Sequence, residues 1–324
     1  MRAVVCKRLG APSELTVEEM PEPEPQRGEV LVDVKAAGVN FPDVLMVAGA
    51  YQVQVPPPFV PGHELAGTVR AVGPEVTGFE VGQRVVGNVP WGAFAERASV
   101  MAEALLPVPD AIELDEAAAM LLTYATSHYA LKERAHLGAH ETVVVLGAAG
   151  GVGMAAVQIA KVLGARVIAA ASTDEKLAFC RENGADEVVN YAVEDLKPRI
   201  RELTGGQGAD VVFDPVGGHL TEPALRSTAW DGRHLIVGFA SGEIPKIPLN
   251  LPLLKGCELV GVFWGSFVAR SPDRHRENVR ELFEWLEQGH LRVHVDGVFP
   301  FDRAGEALAC LADRRVRGKV LLEP

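Results

Sequence analysis

Residues 142 to 176, TVVVLGAAGGVGMAAVQIAKVLGARVIAAASTDEK, constrain this chain more than any other stretch. Thr142 to Leu146 is an apolar run short enough for one buried strand. Glycines follow at 147, 150, 151 and 153. An amphipathic stretch from Met154 to Leu163 comes next, with Val157, Ile159, Ala160 and Leu163 able to face a sheet. Arg166 to Ala171 reads as a second strand. This succession is the first half of a dinucleotide-binding unit. Ala149, Gly150, Gly151, Val152 and Gly153 form its turn. Gly150 and Gly151 leave the backbone open to a pyrophosphate, Gly153 allows close helix-to-strand packing, and the helix start offers N–H groups to phosphate oxygens. A merely structural strand–helix turn is the competing reading.

With 324 residues and 48 % hydrophobic content, the chain suits two domains with substantial cores. A net charge of −12 gives no support to a nucleic-acid or anionic-membrane partner. Cys6, Cys180, Cys257 and Cys310 are scattered and form no CxxC pair, so neither a thiolate zinc module nor a disulfide framework is indicated. The opening residues carry no signal-peptide core, and no stretch is long and apolar enough to span a bilayer. A cytoplasmic protein is the expectation.

Residues 1 to about 120 read as strands and turns: Arg2 to Lys7, Leu15 to Glu19, Val30 to Ala36, Leu65 to Val72 and Val81 to Val86. Two irregular stretches interrupt them, Val39 to Tyr51 and the proline-rich Val55 to Glu64, and loops of this kind often carry active sites. Asp115 to Glu133 reads as a helix with Asp115 at its cap. Thr123, Thr126 and Ser127 either approach a cofactor or bond to the backbone. Alternating strands and helices follow as far as Cys257 to Val262, before a Phe263-Trp264-Gly265 turn. This alternation argues for a doubly wound parallel sheet. Helices over His275 to Glu287 and Asp302 to Asp313 and a strand over Lys319 to Leu322 complete the chain.

The segments GVNFPDVLMVAGAY (38 to 51), PFVPGHELAGTV (58 to 69), LGAAGGVGMAAVQIAKVLGARVIAAASTDEK (146 to 176), GADEVVNY (184 to 191), FDPVGG (213 to 218) and RGKVLL (317 to 322) resemble the zinc-free NADPH:quinone oxidoreductases of the medium-chain dehydrogenase/reductase superfamily. The resemblance covers essentially the whole chain. It implies an α/β Rossmann domain (doubly wound parallel sheet) inserted into a mainly-β GroES-like domain. The expected boundaries are 1–122 for the first part of the GroES-like domain, 123–263 for the NADPH-binding domain and 264–324 for the return. In zinc alcohol dehydrogenases the histidine of a Gly-His-Glu motif is a metal ligand. Here that motif is Gly62-His63-Glu64, but the family cysteine position is Asn40 and no cysteine lies between Lys7 and Phe179. No metal is expected, since catalytic zinc needs about three protein ligands. His63 is expected to be a loop histidine near the substrate.

The resemblance also assigns site residues. NADPH is expected over NADH because Ala171 stands where NADH-dependent members carry an acid. Ser172, Thr173, Lys176 and Tyr191 are matched to the 2′-phosphate, with Asp174 as the opposing local charge. Asn40, Asp43 and Tyr51 are assigned to catalysis, and Thr126 to the nicotinamide. Gly217, Phe239, Phe263, Trp264 and Gly265 complete the cofactor set, although Phe263 and Trp264 also read as core or interface aromatics. The implied activity is hydride transfer to a quinone, a small hydrophobic conjugated acceptor. The rivals are reduction of an activated C=C bond (enal, enone or 2-enoyl-CoA) and NADPH binding with little turnover. A 2-enoyl-CoA substrate would require basic contacts, for which Arg84, Arg97, Arg270 and Arg274 are candidates. A homodimer is expected through the strand at 257–262, flanked by Lys255 and Glu258.

Overall fold

A computed structural model of the chain describes all 324 residues. They form two compact units, Met1–Leu122 with Arg292–Pro324, and Thr123–Leu291. No helix is long and apolar enough to cross a membrane.

The second unit holds a six-stranded parallel sheet. Its spatial order is Glu187–Asn190, Arg166–Ala171, Thr142–Leu146, Ala209–Asp214, Thr228–Ile236 and Glu258–Gly261. The chain therefore starts in the middle, winds outward one way, returns and winds outward the other way. That is the doubly wound Rossmann order, and its reversal point lies between Thr142–Leu146 and Ala209–Asp214. Val143 to Leu146 and Val167 to Ala171 are buried, as central parallel strands require.

The first unit is mainly β. A mixed seven-stranded sheet is organised around the long strand Glu29–Val39, which pairs antiparallel with Glu64–Val72, Arg97–Met101 and Lys319–Glu323. Only Val295–Pro300 runs parallel to its neighbour, Lys319–Glu323. A separate two-stranded sheet joins Arg2–Val5 to Thr16–Glu19. The register sets Gly38 opposite both Glu64 and Leu321, so residues from opposite ends of the sequence meet at one place in the sheet.

Four local expectations change. Val39 to Tyr51 is not wholly irregular: Phe41–Val47 is a short helix, started by Pro42 near its N-terminus and by Asp43, whose Oδ2 accepts the Asn40 N–H at 2.7 Å. Asp115 is not a cap, because the helix begins at Leu114 and places Asp115 in its first turn. The regular helix also stops at His128, and Tyr129–Arg134 winds more widely as a π-helix. Finally, residues 264–291 group with the second unit. Trp264–Arg270 and Pro272–Glu287 are helices held there by Phe267 stacked on Tyr129 at 4.2 Å and by Glu281 bonded to His128 and Lys132.

Candidate functional site

The second unit builds its site mostly from backbone. Thr142–Leu146 delivers the chain to the glycine turn at the reversal point of the sheet. The helix that follows, Gly151–Val162, has no side-chain cap and no acid in its first turn. Its first N–H groups therefore lack intrahelical acceptors and face an end of positive potential, the conditions for holding an anion. The glycines divide the work. A Cβ on Gly153 would lie 2.3 Å from the Gly147 oxygen and 2.8 Å from the Ala148 Cα, so only glycine lets helix and turn pack this closely. A Cβ on Gly150 would meet only the Gly147 oxygen, at 3.5 Å. Its lack of a side chain keeps the approach to the turn open rather than relieving a clash. Ser127 is used within the protein: its hydroxyl donates to the Val152 carbonyl at 2.8 Å.

A second group forms where Arg166–Ala171 ends. The Tyr191 N–H donates to the Ala171 carbonyl at 3.1 Å, bringing Tyr191 beside Ala171 and Ser172. Thr173 caps the helix Asp174–Glu182 by accepting the Lys176 N–H at 3.3 Å. Asp174, the local charge set against phosphate binding, is engaged: its Oδ1 accepts from Asn190 Nδ2 at 2.8 Å. On the other side of the reversal point, Asp214 accepts the N–H groups of Val216 and Gly217. Gly217 has a left-handed φ of 71° and packs so closely on Phe239 that a Cβ would lie 2.7 Å from its ring. Thr126 is half-buried in the helix Leu114–His128. The expected Phe263-Trp264-Gly265 turn is a helix start. Phe263 and Gly265 are exposed, whereas Trp264 is buried edge-on against His275, at 5.4 Å between ring centroids. Trp264 therefore occupies a packing position.

The first unit builds its candidate site from buried side chains. Asn40 is 4 % exposed, Asp43 and Glu64 are fully buried, and Lys319 is 3 % exposed. Lys319 Nζ donates to Asn40 Oδ1 at 2.6 Å and to Glu64 Oε2 at 2.8 Å. Asn40 Nδ2 donates to the same Glu64 oxygen, while Glu64 Oε1 accepts the Leu122 N–H at 2.7 Å. Gly38 makes room for this carboxylate, since a Cβ there would lie 2.3 Å from Glu64 Oε2. Asp43 uses one oxygen for the Asn40 N–H and the other for His63 Nδ1, at 2.5 Å. Tyr51 sets its ring edge-on to His63, with centroids 5.5 Å apart. Burial, with the Asp43 charge, pushes the Tyr51 hydroxyl above its ordinary pKa and keeps it protonated.

No three His, Cys, Asp or Glu side chains converge in an arrangement that could hold a metal ion. The nearest acids to His63 are already committed, Asp43 to the imidazole and the Asn40 backbone, Glu64 to Lys319, Asn40 and Leu122. This donor set does not fit zinc.

Comparison with known proteins bears on both sites. Residues 26–110 match the alcohol dehydrogenase GroES-like domain, and residues 151–288 match the family named zinc-binding dehydrogenase. The quinone oxidoreductase-like protein 2 homolog of Nematostella vectensis is 39 % identical over 99 % of this chain and 88 % of its own length. The chain belongs to the zinc-independent, quinone-oxidoreductase-like family of medium-chain dehydrogenase/reductases. A family member from Escherichia coli, a quinone oxidoreductase solved with NADPH, superposes with a TM-score of 0.94 at 31 % identity, over 100 % of both chains. A mycobacterial protein solved with NADPH gives 0.94 at 36 % identity, again over 100 % of both. In this family member the Rossmann and GroES-like parts are the sheets described above.

Sequence reasoning names Asn40, Asp43 and Tyr51 as candidates but not Lys319, which bonds Asn40 and Glu64. From sequence, Lys319 reads only as the start of a final strand. A lysine at the head of the apolar run Val320-Leu321-Leu322 was the available signal, because a charge at such a position needs a buried partner. That the partner is Glu64, 255 residues away, follows only from strand pairing.

Proposed function

We propose that the chain is an NADPH-dependent reductase that transfers hydride to a quinone without zinc. The observation that carries this reading is the uncapped, acid-free start of Gly151–Val162 in the same unit as the Ala171–Lys176 and Tyr191 group. The Ala149–Gly153 turn would hold the pyrophosphate. Ser172, Thr173, Lys176 and Tyr191 would hold the 2′-phosphate, where Ala171 places no acid to repel it and the Asp174 carboxylate is engaged by a hydrogen bond from Asn190. Thr126, Gly217, Phe239, Phe263 and Gly265 are assigned to the nicotinamide half, with Trp264 supporting them through packing. NADPH, when bound, supplies the hydride. Asn40, Asp43 and Tyr51 belong to the acceptor side in the first unit.

The names of the relatives support a quinone-type acceptor, and the two NADPH complexes support the cofactor. The arginines speak against a coenzyme A thioester. Arg84 donates to the carbonyls of Pro109, Asp110 and Ile112, Arg97 pairs with Glu22 and Asp33, and Arg274 pairs with Glu133. Three of the four candidate phosphate contacts are thus engaged within the chain.

A second copy of the chain would pair along Glu258–Gly261, the edge strand of the parallel sheet. Leu259 within it is 37 % exposed, and Leu253 and Leu254 are 78 % and 71 % exposed, an apolar surface that a partner would cover. The four cysteines are unpaired, which suits a reducing, cytoplasmic setting.

The test is NADPH oxidation by metal-free protein with matched panels of small quinones and 2-enoyl thioesters, followed by product analysis. Saturable quinol formation with little thioester reduction is expected. Preference for the thioester would move the assignment to C=C reduction. Tight NADPH binding with neither product would leave a cofactor-binding protein.

A further inference from the structure

The motif that the proposed function leaves without a role is the histidine of Gly62-His63-Glu64. Its surroundings are specific. Asp43 is fully buried, and its two carboxylate oxygens face the Asn40 N–H and His63 Nδ1. Asp43 holds an acceptor against Nδ1, so the ring carries its hydrogen there and its orientation is set by a group that cannot rotate. Asp43 itself sits in the first turn of Phe41–Val47, beside Asn40, which Lys319 and Glu64 lock in place.

The other ring nitrogen has a different status. His63 Nε2 has no protein hydrogen-bond partner, yet it is not among the polar atoms sealed from solvent. Two other buried histidines show the contrast: His128 and His234 meet a carboxylate through Nε2, and their unpartnered Nδ1 is sealed inside the protein. Those are structural histidines with one nitrogen simply left over. In His63 the inner nitrogen is fixed and the outer one is reachable.

We propose that His63 donates the proton that completes acceptor reduction, with the acceptor oxygen bound at Nε2 and Asp43 as the residue that positions the ring. The inference rests on the quinone-reductase reading. Quinone reduction needs a hydride and a proton. The hydride leaves the nicotinamide C4 as that C–H bond breaks and adds with its electron pair to one carbonyl oxygen of the quinone, which is thereby reduced to the hydroquinone monoanion. The Nε2–H bond of the His63 imidazolium then breaks, an O–H bond forms on the quinol, and solvent returns a proton to Nε2. Asp43 stabilises the imidazolium before transfer and the correct neutral tautomer after it. Histidine is the side chain that most often serves as a general acid. Tyr51, whose ring lies edge-on to His63, has its hydroxyl pKa raised by burial and by the Asp43 charge, which disfavours its giving up a proton. The charged and titratable groups around the ring are Asp43 from the short helix, Tyr51 from the loop after it, and the Glu64–Lys319 pair behind Asn40.

His63→Asn is the decisive variant, because its amide can still donate to Asp43 from the Nδ1 position while nothing replaces Nε2. With saturating NADPH and 1,4-benzoquinone from pH 5.5 to 9, wild-type kcat should fall with rising pH as the imidazolium is lost. The variant should be slower by roughly 10²-fold at low pH and lack that fall. Its NADPH dissociation constant and melting temperature should stay near wild type. An independent readout uses wild-type protein without cofactor, labelled with 15N-histidine: added hydroquinone should move the His63 Nε2 resonance more than Nδ1. Wild-type kcat and pH profile in the variant would overturn the assignment, as would an Nε2 resonance unmoved by hydroquinone concentrations that inhibit turnover. A wild-type protein inert towards quinones while reducing enoyl thioesters overturns the acceptor named here together with the functional reading. An active wild type matched by an equally active variant overturns the role of His63 alone.

Discussion

The two units make their sites from opposite materials. In Thr123–Leu291 the proposed anion site is backbone: glycines, the first N–H groups of a helix and the helix end itself. In the unit of Met1–Leu122 and Arg292–Pro324 the site is a chain of buried side chains running from Lys319 through Glu64 and Asn40 to Asp43 and His63. A backbone site tolerates side-chain changes that avoid its close contacts, because its donors survive them. A side-chain network fails when one member is lost, because every remaining member is buried without its partner.

The largest expected effect tests that claim directly. Lys319→Met leaves the Glu64 carboxylate buried and uncompensated, and should cost about 3–5 kcal/mol in urea unfolding. Adding Glu64→Gln should recover part of that loss. If the single variant costs no more than an exposed-lysine substitution, the network is not what holds the first unit's site.

Acid should reveal a weakness in the second unit. Burial, aided by the Arg276 charge, lowers the His275 pKa to about 4 from its ordinary 6.5. Between these values the unfolded chain binds more protons than the folded one. The contribution of neutral His275 is therefore complete above pH 6.5 and is lost as pH falls towards 4, by about 3 kcal/mol at most. Urea midpoints measured from pH 7 to 4 should fall less in His275→Phe than in wild type. Parallel curves would show that other groups govern acid sensitivity.

The glycines sharpen the comparison within one turn. Gly153→Ala forces backbone to move and should cost about 1–3 kcal/mol, with a clear loss of NADPH affinity. Gly150→Ala meets only an ordinary contact and should change stability far less. Equal losses in stability would mean that helix-to-turn packing does not distinguish the two.

The smallest effect concerns a side chain placed on the backbone site. Lys176→Ala should weaken NADPH binding about fivefold, the worth of one partly solvated charge contact, and leave NADH nearly unchanged. Equal weakening of both would assign Lys176 to general structure.

The sequence by itself determined the parts whose physics is local. A strand, a glycine turn and a helix in succession supply what an anion site needs, because the necessary groups lie within a few residues of one another. The strands Arg166–Ala171 and Glu187–Asn190 could be read to their ends for the same reason, as short apolar runs bounded by turn residues. The helix Phe41–Val47 was legible in principle from Asn40, Pro42 and Asp43, but seven residues between glycine-rich stretches give a weak periodic signal. Tertiary structure alone decided the rest. Residues 264–291 go with the second unit because their apolar and charged faces find Tyr129, His128 and Lys132 there. Trp264 became a packing residue because His275 lies against it. His63 acquired a fixed inner nitrogen and a reachable outer one because Asp43, 20 residues earlier in sequence, is turned towards it by a helix start. Such pairings depend on strand register and helix placement, and no spacing along the chain encodes them.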